Sequence, residues 1–378
     1  MTMKITRMTS IASISFAFAA SAHAQSSVTL YGTLDDGIAY IHNSGGQSSQ
    51  WKMNPGGMSG NSWGMTGRED LAGSVAAIFK LESNDNPNNG TLGNNGRMFG
   101  AKAYVGLTSP TLGAVMLGRQ NDPLSMLVSN VTADSYFGTF ATPGDVDNYD
   151  GSMNFDNAVE WASPNWGGVT MQLMYCLGGV AGATGSGQSY AAAARYSNEH
   201  LNLATGFMHV DNGNAVYSER GTTTADSVFN SAVNSAYESA RSINIARVAG
   251  NYLFGSLTLG AAFSYSQYVP DASSTFSDTE KYANGSVFAS WQVKPDFYTI
   301  VGYNYTKSSG DSSAKYSQVN VGIDYLLSKR TDVYATSGYQ HASGQNGLGQ
   351  AQAVVGSYAV NSGASSQIVA IVGMRHHF

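Results

Sequence analysis

The stretch Gln318-Val319-Asn320-Val321-Gly322-Ile323-Asp324-Tyr325 carries the reading of the fold. Val319, Val321, Ile323 and Tyr325 fall at every second position, so an extended chain puts them on one face and Gln318, Asn320, Gly322 and Asp324 on the other. The same period governs Leu257, Leu259, Ala261 and Phe263 against Thr258, Gly260, Ala262 and Ser264. Val28, Leu30, Leu34 and Ile38 alternate with Thr29, Tyr31, Thr33 and Asp35, and Val75, Ala77, Phe79 and Leu81 with Ala76, Ile78, Lys80 and Glu82. Segments of about ten residues with this pattern, separated by turn residues, are how a membrane β-barrel is written.

Composition narrows the choice. Charged residues make up only 12% of the 378 residues, against about 25% in soluble globular proteins, which argues against an ordinary cytoplasmic enzyme. The single cysteine, Cys176, excludes a disulfide framework and any multi-cysteine metal site. A net charge of -6 offers no basic footprint, so no nucleic-acid partner is expected. Lys4 and Arg7, the apolar run from Ile11 to Ala22 and the small-residue site Ala22-His23-Ala24 read as a cleaved secretory signal over residues 1–24, leaving residues 25–378 as the barrel. A short membrane anchor is the alternative, but the run is too short to span. Past residue 25 no stretch approaches the roughly 18 apolar residues that a spanning helix needs.

Runs of alternation bounded by Gly, Asn, Asp, Ser and Pro number sixteen: 28–42, 61–69, 72–84, 98–108, 113–120, 155–163, 168–176, 189–197, 201–209, 243–253, 256–267, 282–293, 296–306, 315–327, 331–341 and 365–378. The connections between them alternate in length. Residues 43–60, 85–97, 121–154, 177–188, 210–242, 268–281, 307–314 and 342–364 form a long set, while Glu69-Asp70, Lys294-Pro295 and Ser328-Lys329-Arg330 belong to a short one. The fold class is therefore all-β: a 16-stranded antiparallel transmembrane β-barrel with short periplasmic turns and long extracellular loops. One segment fits poorly. Arg247 shares parity with Ile243 and Ile245, which calls for a bulge or a rim position there.

Closure follows from the solvent, because hydrocarbon cannot satisfy backbone N–H and C=O groups and a sheet within it must leave no edge. Sixteen strands enclose more space than side chains fill, so an aqueous channel and passive passage of small hydrophilic solutes are expected. Rival readings are an outer-membrane hydrolase built on the same barrel, an adhesin, and a soluble all-β protein whose outward Val, Leu and Phe are buried.

Several short motifs, in order along the mature chain, are similar to the general porins of beta-proteobacteria, the Burkholderia/Neisseria-type family. They are Ser27-Val28-Thr29-Leu30-Tyr31-Gly32 with Asp35, Gly67-Arg68-Glu69-Asp70-Leu71, Phe79-Lys80-Leu81-Glu82, Ala103-Tyr104-Val105-Gly106-Leu107 and Leu117-Gly118-Arg119-Gln120. Leu327-Ser328-Lys329-Arg330-Thr331-Asp332-Val333-Tyr334 and the ending Val372-Gly373-Met374-Arg375-His376-His377-Phe378 complete the set. The resemblance implies a homotrimeric diffusion porin in the outer membrane of a Gram-negative bacterium, surrounded by lipid and lipopolysaccharide and needing no cofactor. It also implies that the third external loop, 121–154, constricts the pore, and that Phe378 is a signal read by the barrel-assembly machinery.

Charge distribution suggests how such a pore sorts ions. Between Arg119 and Arg195 there is no Lys or Arg, while Asp122, Asp134, Asp145, Asp147, Asp150, Asp156 and Glu160 supply an acidic loop. Arg68, Lys80 and Lys102 share inward parity, and Arg97 and Arg119 stand at strand ends, forming a basic wall. A transverse field across the narrowest part is expected from this pairing. Relatives usually carry further bases where this chain has Ser62, Thr66, Ala76 and Ala101. The thinned wall leads to an expectation of weak selectivity leaning to cations, and Arg119→Ala is expected to widen or depolarise the pore. Asp145-Val146-Asp147-Asn148-Tyr149-Asp150-Gly151 departs from a helix-flanked calcium loop, and adjacent His376 and His377 point to opposite strand faces, so no metal site is assigned.

Overall fold

In the computed structural model the described residues are 27–213, 223–358 and 360–378; the expected signal at 1–24 lies outside them. Sixteen antiparallel strands close on themselves. They are β1 (Ser27–Ser44), β2 in two pieces (Gln47–Pro55 and Ser62–Asp70), β3 (Ala76–Asn86), β4 (Lys102–Ser109), β5 (Gly113–Asn121) and β6 (Asn154–Ala162). Then come β7 (Val169–Cys176), β8 (Ser189–Ser197), β9 (Leu201–Asp211), β10 (Ser242–Phe254) and β11 (Leu257–Val269). The last five are β12 (Glu280–Lys294), β13 (Phe297–Ser309), β14 (Lys315–Leu326), β15 (Thr331–Ser343) and β16 (Ser366–His377). Each pairs with its sequence neighbour, and β16 returns to β1 with Thr33 opposite His377 and His42 opposite Ile368.

Alternation does what hydrocarbon requires. Val28, Leu107, Val321 and Val372 are among the large apolar side chains that stand exposed on the outer face, Val372 at 66%. A soluble protein would hide such a belt; here the buried partners on the same strands are polar, including Asp35, Asn304, Gln318, Asn320, Asp332 and Gln340. The inside-out distribution fixes the barrel as membrane-spanning, with lipid on the apolar face and water or polar loops within.

Two expectations are corrected. The first external connection is not an 18-residue loop over 43–60: Gln47–Pro55 continues the ladder on β1, so only Gly45 and Gly46 turn the chain. The interruption falls lower, at 56–61, where the chain leaves the wall to hydrogen-bond Asp35. Met58 N and Ser59 N donate to Asp35 Oδ2 at 2.7 and 2.8 Å. Pro55-Gly56-Gly57, read from sequence as loop, breaks the strand but does not end it. Arg247, moreover, needs neither bulge nor rim: β10 pairs in unbroken register on both sides, and Ile243, Ile245 and Arg247 all point inward. The two isoleucines are covered by loops inside the lumen, so parity with apolar residues no longer implies lipid.

The strand tyrosines also divide. Tyr175, Tyr252, Tyr303 and Tyr325 stand on the outer face, whereas Tyr268, Tyr282, Tyr316 and Tyr334 are buried within the barrel, where they pack under loops and are not part of an interface girdle. Cys176 is likewise buried against this lumenal packing.

Candidate functional site: a lumen narrowed by inward loops

Residues 122–153 fold into the barrel. Their first turn is α1 (Pro123–Leu127), capped by Asp122, whose Oδ1 accepts from Leu124 N and Ser125 N at 2.8 and 3.0 Å, with Pro123 at the first helical position. Beyond it the segment runs across the lumen to β13–β15. Gln318 Nε2 donates to Thr139 O at 2.7 Å, Asn304 Nδ2 to Ala141 O at 3.2 Å, and the Thr139 and Thr336 hydroxyls meet at 2.8 Å. Phe137 lies so close to β14 that a Cβ on Gly322 would come within 2.4 Å of its ring; only glycine lets the loop settle there.

Arg247 anchors this loop to β10, and sequence reasoning missed it. Its guanidinium donates to Asp147 O and to Ser129 Oγ, the latter at 3.1 Å, and lies 4.4 Å from the centre of the Tyr149 ring. Asp147 in turn accepts from the hydroxyls of Thr142 and Ser264. The signal was the inward parity itself, which a lipid-facing interpretation of Ile243 and Ile245 obscured.

The expected acidic loop is therefore mostly internal. Asp122 caps a helix, Asp147 binds hydroxyls, and Asp145 accepts from Asp150 N at 3.0 Å and Ser152 Oγ at 2.6 Å. Burial beside Asp150 and Asp147 pushes the Asp145 carboxyl up to about 8. Asp134 is half-buried and Asp150 exposed, with Asp150 Oδ2 accepting from Ser357 Oγ at 2.5 Å. A loop folded in a lumen must satisfy its own backbone and hydroxyl groups, and Asp122, Asp145 and Asp147 are spent on that.

The expected basic wall separates into three unconnected groups. Arg68 bonds Asp70 at 2.8 Å on the short-turn rim, both exposed. Lys80 and Lys102 share Glu82 at 3.0 and 3.4 Å, and Tyr31 donates to the same carboxylate at 2.6 Å. Arg119 and Arg97 meet Asp156 and Asp226: Arg119 reaches Asp156 at 2.8 Å and Asp226 closer still, and Arg97 reaches Asp226 at 2.6 Å. The register shift between Gly118 and Gln120, with Gly118 at φ 137°, turns Arg119 off the outward parity and opposite Asp156. Glu160 lies on β6, buried and apart from these pairs. Bases and loop acids do not pair across a gap; each base finds an acid on the wall, on its own rim or on a second loop.

That second loop is 212–241. Its described part also folds inward: Asp156 N donates to Thr224 O at 2.7 Å and Asp226 N to Asn154 O at 3.0 Å, so the segment extends the top of β6. Asn234 Nδ2 reaches Gly144 O at 3.3 Å and Tyr282 OH reaches Val233 O at 2.8 Å. Residues 351–358 complete the filling, with Gly144 N donating to Gly356 O at 3.0 Å and Tyr358 OH to Gly57 O at 3.1 Å. Sequence length leaves 121–154 and 210–242 as competitors; the first enters, and so do the described residues of the second. Among the described residues no group of acids, His and Cys is arranged to hold a metal ion. Phe378 pairs with Gly32 through N–H···O contacts of 3.0 and 3.2 Å, and its side chain is part-exposed at the short-turn rim.

An apolar belt outside, a polar wall inside and loops packed into the bore define a transmembrane channel-type barrel. Residues 9–345 match the family model described as Gram-negative porin, and the chain belongs to that family. An outer membrane porin protein of Bordetella pertussis is 27% identical over 368 residues, covering 85% of this chain and 91% of that one. Outer membrane porin protein 32 of Delftia acidovorans is 25% identical over 372 residues, covering 94% and 95%. Among solved structures, an anion-selective porin from Comamonas acidovorans superposes with a TM-score of 0.73 at 22% identity, covering 93% of this chain and 100% of that one. The protein is an outer-membrane porin of a Gram-negative bacterium.

Proposed function

We propose that the protein is a general diffusion porin and not an enzyme: a water-filled channel for small hydrophilic solutes and ions. The observation that carries this is the incomplete filling of the bore. The loop 122–153 packs on β7–β15, and across from it the wall of β1–β5 presents Tyr31, Lys80, Lys102 and Tyr104 as only partly buried side chains, which leaves a polar passage between them. The loop is thus the constriction. Reconstitution into planar bilayers is expected to give stepwise conductance in KCl; a silent bilayer loaded with folded protein would reject the reading.

The selectivity we assign is weak and leans to cations. Lys80 and Lys102 share Glu82, with Glu160 on the same wall, and Arg97 and Arg119 are paired with Asp156 and Asp226, while Asp150 stands exposed on a loop without a single base. Lys52, inward on β2 with no ion pair among the described residues, offsets part of that excess. The anion selectivity of the Comamonas porin belongs to a chain 22% identical, a distance at which the fold is shared and the lining charges need not be. We further assign a homotrimer, assembly through recognition of the C-terminal Phe378, and lipopolysaccharide around the external rim. SDS-resistant trimers that dissociate only on heating are the expected readout.

A further inference from the structure

A side cavity of about 180 Å³ opens on the passage between β3–β7 and α1. Its two ends differ in what they offer a solute. At one end Glu160 is 4% exposed, yet its carboxylate has no hydrogen bond or ion pair among the described residues, and Gln172 Oε1 is buried without a partner. Buried acceptors are normally satisfied, so the orphaned Gln172 oxygen beside an unpaired carboxylate marks a place for donors. At the other end the ammonium groups of Lys80 and Lys102 pair with the shared Glu82, at 3.0 and 3.4 Å, Lys80 also lying 4.9 Å from the centre of the Tyr31 ring, and an ammonium carries three donors. Met116 on the intervening β5 and Met126 on α1 supply an apolar floor.

The strand order sets the distance. Glu160 on β6 pairs with Met116 on β5, which pairs with Gly106 on β4, so Lys102 stands two strands across and four residues along from Glu160, roughly 16 Å between Cα atoms before the side chains that line the cavity lean in. A small molecule whose ammonium and carboxylate share one carbon offers a donor to one end of this cavity and an acceptor to the other, with a hydrogen bond of about 2.9 Å at each. A lone cation would sit near two lysines, and a lone anion near a buried carboxylate.

We propose that this cavity is a transient binding site for α-amino acid zwitterions, with the ammonium on Glu160 and Gln172 and the carboxylate on Lys102 and Lys80. The site rests on the channel reading and gives it a substrate class. In a bilayer holding open channels in KCl, L-alanine lowers the open-channel current saturably, while glycerol at equal concentration has only its viscosity effect. Glu160→Gln and Lys102→Met, each compared with its own open current, raise the half-blocking concentration of L-alanine at least about tenfold, the loss of one charge-assisted hydrogen bond. Ethylamine and propionate, with one charge each, block at least about tenfold more weakly than L-alanine. Block by L-alanine no greater than by glycerol, block unchanged in both variants, or equal block by a singly charged probe would each overturn the assignment. Absence of any KCl conductance would sink the channel reading itself, which separates the two failures.

Discussion

Arg119 and Asp156 face each other across a bulge, Nη1 to Oδ1 at 2.8 Å, and the same guanidinium holds Asp226 of the loop 212–241 and Gly100 O. Arg119 is 7% exposed, so it acts as a clamp between two strands and a loop more than as a charge lining open water. Arg119→Ala strands two acids near Arg97 alone and is expected to loosen the loop by about 3 kcal/mol. Limited proteolysis then gains a cut within 223–241 and conductance rises. An unaltered digest with unaltered conductance would show that the clamp holds nothing.

Arg247 makes a different connection, between β10 and the loop 122–153. Arg247→Met keeps the stem that packs beside Tyr149 but removes the donors to Asp147 O and Ser129 Oγ. Noisier open-channel current and a larger mean conductance are expected, with the barrel's thermal dissociation little changed because no wall ladder is touched.

Tyr334 on β15 donates to Asp35 Oδ1 on β1 at 2.6 Å, reaching past β16 across the seam where the barrel closes. The same carboxylate holds the 56–61 interruption. Tyr334→Phe leaves a buried carboxylate with one fewer donor and is expected to cost about 1–3 kcal/mol. The temperature at which the folded form is lost in SDS should fall; no shift would place the stability of the seam in the backbone ladder alone.

Asp145 provides the pH dependence. Its carboxyl, buried beside Asp150 and Asp147, is pushed up to about 8 in the packed loop against about 4 in a free chain. The packed loop therefore holds an extra proton between those values, and its packing is fully favoured below pH 4 and weakens as pH rises through 8. Current noise should increase from pH 6 to pH 9. Asp145→Asn, uncharged throughout, should flatten that rise.

Asp134 and Asp150 are the loop acids least occupied by the loop's own packing. Replacing Asp150 with Asn removes the exposed negative charge of the loop, whereas Asp134, held neutral by burial beside Asp150 and Asp145, contributes little, and the reversal potential in a salt gradient should move toward anion preference. Clear anion preference in the unaltered protein would refute the cation lean.

Much of the wall was legible because its cause is local. Period-two alternation places Val319, Val321 and Ile323 on lipid whatever else the chain does, and sixteen such runs can satisfy their backbones in a membrane only by closing. Where expectation failed, a residue's partner came from far along the chain. Ile243 and Ile245 read as lipid-facing because nothing nearby announced that loops would cover them from inside. Pro55-Gly56-Gly57 read as the end of a loop because the hold of Asp35 on it is tertiary. The basic wall and acidic loop were identified by residue type and parity, but their pairing was not: Asp226 lay in a segment that sequence length alone could not direct inward.

Alternation along the chain was enough to set the strand number, the outer and inner faces and the outer-membrane setting, since each follows from a two-residue repeat meeting hydrocarbon on one side. Folding in three dimensions settled which loops enter the bore, which base clamps which acid, and which carboxylate, Glu160, is left without a partner beside the passage. Loops inside a lumen are held by hydrogen bonds and ion pairs between residues a hundred or more positions apart, as Arg247 is from Asp147, and no local pattern encodes such a distance.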